Sequence, residues 1–215
     1  MGKMRIGVIG CGNISDIYLK NLTTVFDSTE VLSVSDMNME RARASAAKYG
    51  VPKAQTVEEL LANPDIDIVL NLTIPGSHFD ICERALLAGK HVYVEKPLSA
   101  TVGEAKKLVS LANEKGLSIG CAPDTFLGGG VQTCLNILDS GEIGEPVAAT
   151  AFFGHRGPER FHPDPGFLYK EGAGPMLDIG PYFLTALVSA LGPAKTVCGM
   201  THSAFERKMV CCICA

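Results

Sequence analysis

No run of lysine or arginine interrupts this chain, and its 19 basic residues are outnumbered by 23 acidic ones, for a net charge of −4. A polyanion-binding face normally announces itself as a basic stripe, so nothing points to a nucleic-acid or membrane-surface partner. No apolar run approaches the roughly 20 residues of a membrane span. A secretory h-region is also missing, since MGKMRIGVIGCGNIS goes directly into a strand and a glycine turn. The Met-Gly start is not a strong myristoylation signal, because Ile6 stands where Ser or Thr belongs. Paired cysteines at ligand spacing are lacking as well. Five of the eight thiols (Cys11, Cys82, Cys121, Cys134 and Cys198) are scattered through apolar segments, as in a reduced cytoplasmic protein. The terminal Cys211, Cys212 and Cys214 have only His202 nearby, which is a poor metal set.

What is present is a globular composition, 47% apolar and 20% charged, over 215 residues. Strand and helix signals alternate through residue 122. Strands are expected at Arg5–Ile9, Glu30–Ser35, Ile66–Thr73, His91–Val94 and Leu117–Ala122, and helices at Asn13–Phe26, Glu40–Tyr49, Val57–Leu61, His78–Ala88 and Val102–Glu114. Thr56 with Glu59, and Thr101 with Glu104, read as capping boxes. Glycines at 50, 89 and 116 read as helix stops. Short connections between alternating elements dictate a parallel, doubly wound sheet. After Pro123 the rhythm changes to a helix near Thr125–Asp139, a strand at Pro146–Phe153, a long polar loop, a helix at Tyr182–Leu191 and a strand at Lys195–Phe205. The expected architecture is therefore α/β: a doubly wound Rossmann-type domain over residues 1–123, then an α+β unit over 124–215.

Gly10 and Gly12 follow the first strand and open the first helix, which is how a pyrophosphate is brought close to backbone at a helix N-terminus. Asp36 closes the second strand, 24 residues beyond Gly12, where a carboxylate meets an adenosine ribose hydroxyl. Its charge repels a 2′-phosphate, so NAD is expected over NADP. The stretch HVYVEKPLSA ends a strand with Glu95, Lys96 and Pro97, at the sheet edge where ligands bind. Asp178 and Tyr182 stand four apart, with Gly180 and Pro181 between them, so the pair is expected to straddle a helix start.

Three segments, GVIGCGNIS, LTIPGSHFDICERALLAGKHVYVEKPLS and GAGPMLDIGPYF, make the chain resemble the Gfo/Idh/MocA oxidoreductases, to about Phe205. The resemblance implies a bound nicotinamide dinucleotide, a sugar, polyol or related hydroxy substrate, and a cis Lys96–Pro97 bond. It implies cofactor contacts from Gly10, Gly12, Asn13, Ile14, Asp36, Thr73, Pro75, His78, Glu95 and Lys96. It also implies catalysis by Lys96, Asp178 and Tyr182, with Asp124 and His162 as further substrate contacts and no metal. A zinc site from His155 and His162 is weighed and set aside, since hydride transfer requires none.

Two departures stand out. Many members carry histidine where Tyr182 stands, and tyrosine is the poorer base near neutral pH. The family's second domain is also substantially longer, with a large sheet that packs against another subunit. The ending ERKMVCCICA does not resemble its continuation, which suits a truncated or frame-shifted product or a short paralogue. A two-stranded remnant would expose edges and an apolar face. The expected oligomer is a homo-oligomer, formed if that sheet is completed. The alternative reading is a non-catalytic NAD(H)-binding paralogue acting as a sensor or partner subunit.

Overall fold

A computed structural model describes residues 2–160, 162, 164–170 and 172–202. The chain divides into two compact units, one ending at Ala122 and one beginning at Pro123. In the first unit, β1 (Met4–Ile9), α1 (Ser15–Thr24), β2 (Thr29–Ser35), α2 (Met39–Tyr49), β3 (Lys53–Ala54), α3 (Val57–Ala62), β4 (Ile68–Asn71), α4 (His78–Leu87), β5 (His91–Val94), α5 (Val102–Glu114) and β6 (Ile119–Cys121) alternate. The six strands are parallel, in the order β3-β2-β1-β4-β5-β6. That order reverses between β1 and β4, and the crevice beyond the carboxyl ends of those strands is where such a sheet receives its ligand.

Alternation along the strands explains two separate cores. Ile6 and Val8 point to one face with Val31, Val34 and Leu70, and are covered by Leu19 of α1 and Ala42 and Ala46 of α2. Ile9, Val69, Val92 and Val94 point to the other, beneath Leu60 of α3, Ile81 and Leu86 of α4, and Leu108 of α5. Burial of this apolar surface on both faces is the main force holding the sheet. Both expected capping boxes form, at Thr56 with Glu59 and at Thr101 with Glu104. The amino-terminal edge is tied separately: Arg5 donates to Asp67 at 2.9 and 3.1 Å and to Asp65 at 3.1 Å.

Two-residue β3 escaped the sequence pattern, being too short to show alternation. The strands expected at 66–73 and 117–122 are shorter at both ends, because the ladder stops where a neighbour stops.

Among its described residues the second unit, by itself, comprises α6 (Gly129–Ser140), α7 (Pro175–Asp178), α8 (Gly180–Leu191) and three 3-10 turns, the first at Thr125–Leu127. That turn and α6 lie against α8. Here two expectations need correcting. No strand forms among the described residues at Pro146–Phe153 or over 195–202, and 203–205 lie outside the described residues. A strand is stable only when its N–H and C=O groups find a ladder partner. These segments find none, and Val147, Phe152, Val197 and Met200 stand more than four-fifths exposed. The helix expected from Thr125 begins instead as a 3-10 turn, with extended Gly128 as its break.

Candidate active site

The glycine turn is built for a close approach. Gly10 has φ +104°, and a Cβ there would lie 2.6 Å from the Leu72 carbonyl carbon and oxygen, so no other residue fits. A Cβ on Gly12 would meet nothing within 4 Å, which leaves space before the turn. Helix α1 begins after Ile14 with no side-chain cap; the Ser15 amide donates to the Gly12 carbonyl at 3.1 Å, and the rest of the first turn is left without a side-chain acceptor. Asn13 and Ile14 occupy the turn between Gly12 and the helix. Ser15, where a third glycine is often found, is buried and donates from Oγ to the Gly12 carbonyl at 2.6 Å.

Asp36, at the end of β2, accepts from the Cys11 amide and from the Asn38 amide, each at 2.8 Å, one with each carboxylate oxygen. It is thereby aimed along the glycine turn, with lone pairs remaining for ribose hydroxyls. Arg41 Nη1 lies 3.8 Å away on an exposed side chain. Beside Asp36, a cavity of about 590 Å³ is lined by Met37, Met39, Val57, Glu58, Asp80 and Arg84 among others. Arg84 is held there by Glu58 at 2.7 Å and Asp80 at 3.7 Å.

At the ends of β4 and β5 the polar residues form a connected set. Fully buried Asn71 accepts at Oδ1 from the Thr73 amide (3.2 Å) and hydroxyl (2.7 Å). Its Nδ2 donates to the His78 carbonyl (3.2 Å) and to Cys82 Sγ (3.3 Å). Pro75 opens the 3-10 turn that leads into α4. His78 has no exposed surface, and its two ring nitrogens face the carbonyl oxygens of Pro97 (Nδ1, 2.6 Å) and Thr73 (Nε2, 3.0 Å). Burial pushes its pKa down, opposed by the two carbonyls and the Glu95 carboxylate, and reinforced by Lys96.

Glu95 accepts from the Tyr18 hydroxyl of α1 at 2.8 Å and from the Lys96 amide at 3.0 Å. The Lys96–Pro97 peptide bond is cis. Gly10, Gly12, Asn13, Ile14, Asp36, Thr73, Pro75, His78, Glu95 and Lys96 therefore all belong to the carboxyl-end side of one sheet. Sequence reasoning missed Asn71 and Tyr18: a polar residue inside an apolar strand was the available signal for the first, and nothing local signalled the second.

In the second unit, Asp178 ends α7 and its amide donates to the Gly174 carbonyl. Tyr182 sits in the first turn of α8, its amide donating to Ile179, so the pair does straddle a helix start. Asp124 precedes the 3-10 turn at Thr125. His162 accepts at Nδ1 from the Asp164 amide and stacks edge-on with Phe167. His155 accepts from the Gly157 amide and packs edge-on with Phe153. Among the described residues no three His, Cys, Asp or Glu side chains gather as metal ligands, and no helix is long and apolar enough to cross a membrane.

Residues 4–122 match the oxidoreductase family with an NAD-binding Rossmann fold, and residues 131–210 match the GFO/IDH/MocA C-terminal domain. The chain belongs to the Gfo/Idh/MocA oxidoreductase family. A dTDP-3,4-didehydro-2,6-dideoxy-alpha-D-glucose 3-reductase of Saccharopolyspora spinosa is 34% identical over 206 residues, covering 94% of this chain and 61% of its own length. The myo-inositol dehydrogenase of Lactobacillus casei, solved with NAD(H) and myo-inositol, has a TM-score of 0.63 at 31% identity, covering 68% of this chain and 44% of its own. A 3-ketoreductase from Actinomadura kijaniata, solved with TDP-benzene and NADP, has a TM-score of 0.61 at 33% identity, covering 67% and 44%. The chain thus spans about three fifths or less of the length of each of these proteins.

Proposed function

We propose that this chain is a dehydrogenase or reductase that moves a hydride between a nicotinamide dinucleotide and a sugar, polyol or related hydroxy compound. The observation that carries the reading is the Glu95-Lys96-Pro97 turn, at the carboxyl end of β5 in the same crevice as the Gly10–Gly12 turn and Asp36. In this reading Gly10, Gly12, Asn13 and Ile14 receive the pyrophosphate, Asp36 the adenosine ribose, and Thr73, Pro75 and Glu95 the nicotinamide side. When bound, the dinucleotide accepts or supplies the hydride.

The residues supply the rest. As an alcohol carbon loses its hydride, the hydroxyl loses its proton and becomes a carbonyl oxygen. The Lys96 ammonium stabilises the negative charge developing on that oxygen by charge and hydrogen bonding. Asp178 and Tyr182 assist the proton's departure, and Asp124 and His162 hold the substrate's other hydroxyls. Glu95, itself held by Tyr18, orients the turn. These roles assign the first unit to the dinucleotide and the second, from residue 124, to substrate and subunit contacts.

NAD is the preferred cofactor in this reading. The Asp36 carboxylate, with Glu58 and Asp80 lining the cavity beside it, outnumbers the nearby cations: Arg84 is paired with the latter two, and Arg41 lies 3.8 Å from Asp36 itself. A 2′-phosphate would meet repulsion. The relatives include both an NAD(H) and an NADP complex, so the preference rests on these residues alone. The buried free thiols Cys11 and Cys82 suit a cytoplasmic location. A homo-oligomer is proposed if the second unit's sheet is completed.

The test is turnover with NAD on a panel of sugars, polyols and nucleotide sugars, beside NADH titration of the same chain. Lys96→Ala should lower turnover by about 10²–10⁴-fold and leave NADH affinity nearly intact. Asp36→Ala should weaken NADH binding. Unchanged turnover in the lysine variant would sink the assignment. A second reading, an NAD(H)-binding protein without catalysis, is favoured by the absence of strands among the described residues of the second unit. It predicts saturable NADH binding and no turnover on any panel member.

A further inference from the structure

His78 is the one histidine in the chain with no exposed surface, and its ring spans two segments that carry the candidate chemistry. One nitrogen faces the carbonyl oxygen of Thr73, on the loop after β4. The other faces that of Pro97, the residue after Lys96. Asn71 closes the set by holding the Thr73 amide and hydroxyl and the His78 carbonyl. The ring is therefore a strut between the loop after β4 and the Lys96 turn, anchored through the His78 carbonyl that Asn71 holds.

We propose that His78 is a positioning residue for Lys96, acting through a hydrogen bond from its Nδ1–H to the Pro97 carbonyl. The proposal rests on the reading of Lys96 as the group that meets the reacting oxygen. Both contacts have oxygen acceptors, and a neutral imidazole carries one N–H. The 2.6 Å contact to Pro97 is the shorter, so the proton is assigned to Nδ1, and Nε2, left with a lone pair, faces the Thr73 carbonyl without a hydrogen bond. A lysine displaced by even 1 Å from a developing alkoxide loses much of its electrostatic stabilisation, because the gain depends on donors already in place.

Two amide side chains separate this role from a merely structural one. The amide nitrogen of asparagine falls near the place of Nδ1, and that of glutamine near the place of Nε2. His78→Asn therefore keeps the donor toward Pro97, while His78→Gln loses it and places its donor toward Thr73 instead. Each variant, like the neutral histidine, supplies one donor to the two carbonyls, so their stability losses are alike.

The expected result is a kcat about tenfold or more lower in His78→Gln, with NADH affinity and substrate KM within about threefold, and a partial rescue in His78→Asn, whose kcat stays at least about threefold above that of the glutamine variant. Amide exchange of Lys96, Leu98 and Ser99, read without any substrate, should quicken in the glutamine variant and stay near wild type in the asparagine variant. Equal exchange in the two folded variants, or a loss confined to NADH affinity, would overturn the proposal. If wild type shows no turnover while the exchange asymmetry holds, the catalytic reading fails and the strut stands. If Lys96→Ala abolishes turnover but the two His78 variants behave alike, the strut fails and the catalytic reading stands.

Discussion

The two units are built from similarly apolar sequence and reach different ends. In the first, Val8, Leu19, Val34, Leu60, Val69, Leu86, Val94 and Leu108 are wholly buried. In the second, none of the three α-helices among the described residues buries a residue, and Leu184, Val188 and Leu191 of α8 remain nearly half exposed. Apolar content therefore does not make a core. A sheet does so in the first unit because its strands satisfy one another's backbone groups, and the helices then have a flat apolar surface on each face to cover. Where segments 146–153 and 195–202 find no ladder, their alternate side chains have no common face to share.

The largest effect that would test this contrast is a cavity in each unit. Leu108→Ala should cost about 2–5 kcal/mol, because its neighbours in the α3–α4–α5 core can relax only in part. Leu184→Ala should change stability by less than about 0.5 kcal/mol. Urea melts of the two variants would make the measurement, and equal losses would mean that α8 is covered in solution by something that shields it.

A smaller effect tests the local support of the first unit. Asn38 accepts from the Glu40 and Arg41 amides at 3.0 and 3.4 Å, satisfying the start of α2. Asn38→Ala should cost about 0.5–2 kcal/mol and leave NADH binding nearly unchanged, since alanine keeps the backbone amide that holds Asp36. Thermal melts with and without NADH would check both outcomes.

The smallest effect is at the opposite edge of the same sheet. Arg5, by side-chain and backbone hydrogen bonds, pulls the Asp67 carboxyl down to about 2 from an ordinary 3.8. A depressed folded pKa gives stability that is present above the unfolded value and lost as pH falls through the folded one. Melting temperature should therefore decline between about pH 4 and pH 2. Asp67→Asn should melt lower at pH 7 and decline less across that window. An unchanged slope would mean the ion pair, which is partly exposed, contributes nothing measurable.

Much of the candidate site was readable before any fold was known. Gly10 and Gly12 after an apolar strand, Asp36 at the next strand end and Glu95-Lys96-Pro97 at another are short-range patterns, and short-range patterns fix turn geometry and ligand-facing edges. The parts that were not readable depend on residues far apart in sequence. Tyr18 reaches Glu95 across 77 positions, and His78 reaches Pro97 across 19. A fully buried histidine facing two carbonyls looks, in sequence, the same as one at the surface of a helix start.

The sequence by itself determined the alternation of elements, the parallel sheet, the capping boxes and the glycine turn, because each follows from side-chain period and backbone freedom within a few residues. Only the tertiary structure decided which polar groups became buried partners, as with Asn71, Thr73 and His78, and which expected strands had no neighbour. Both are pairing questions. Backbone and polar side chains must be satisfied by groups that only the folded chain brings within reach.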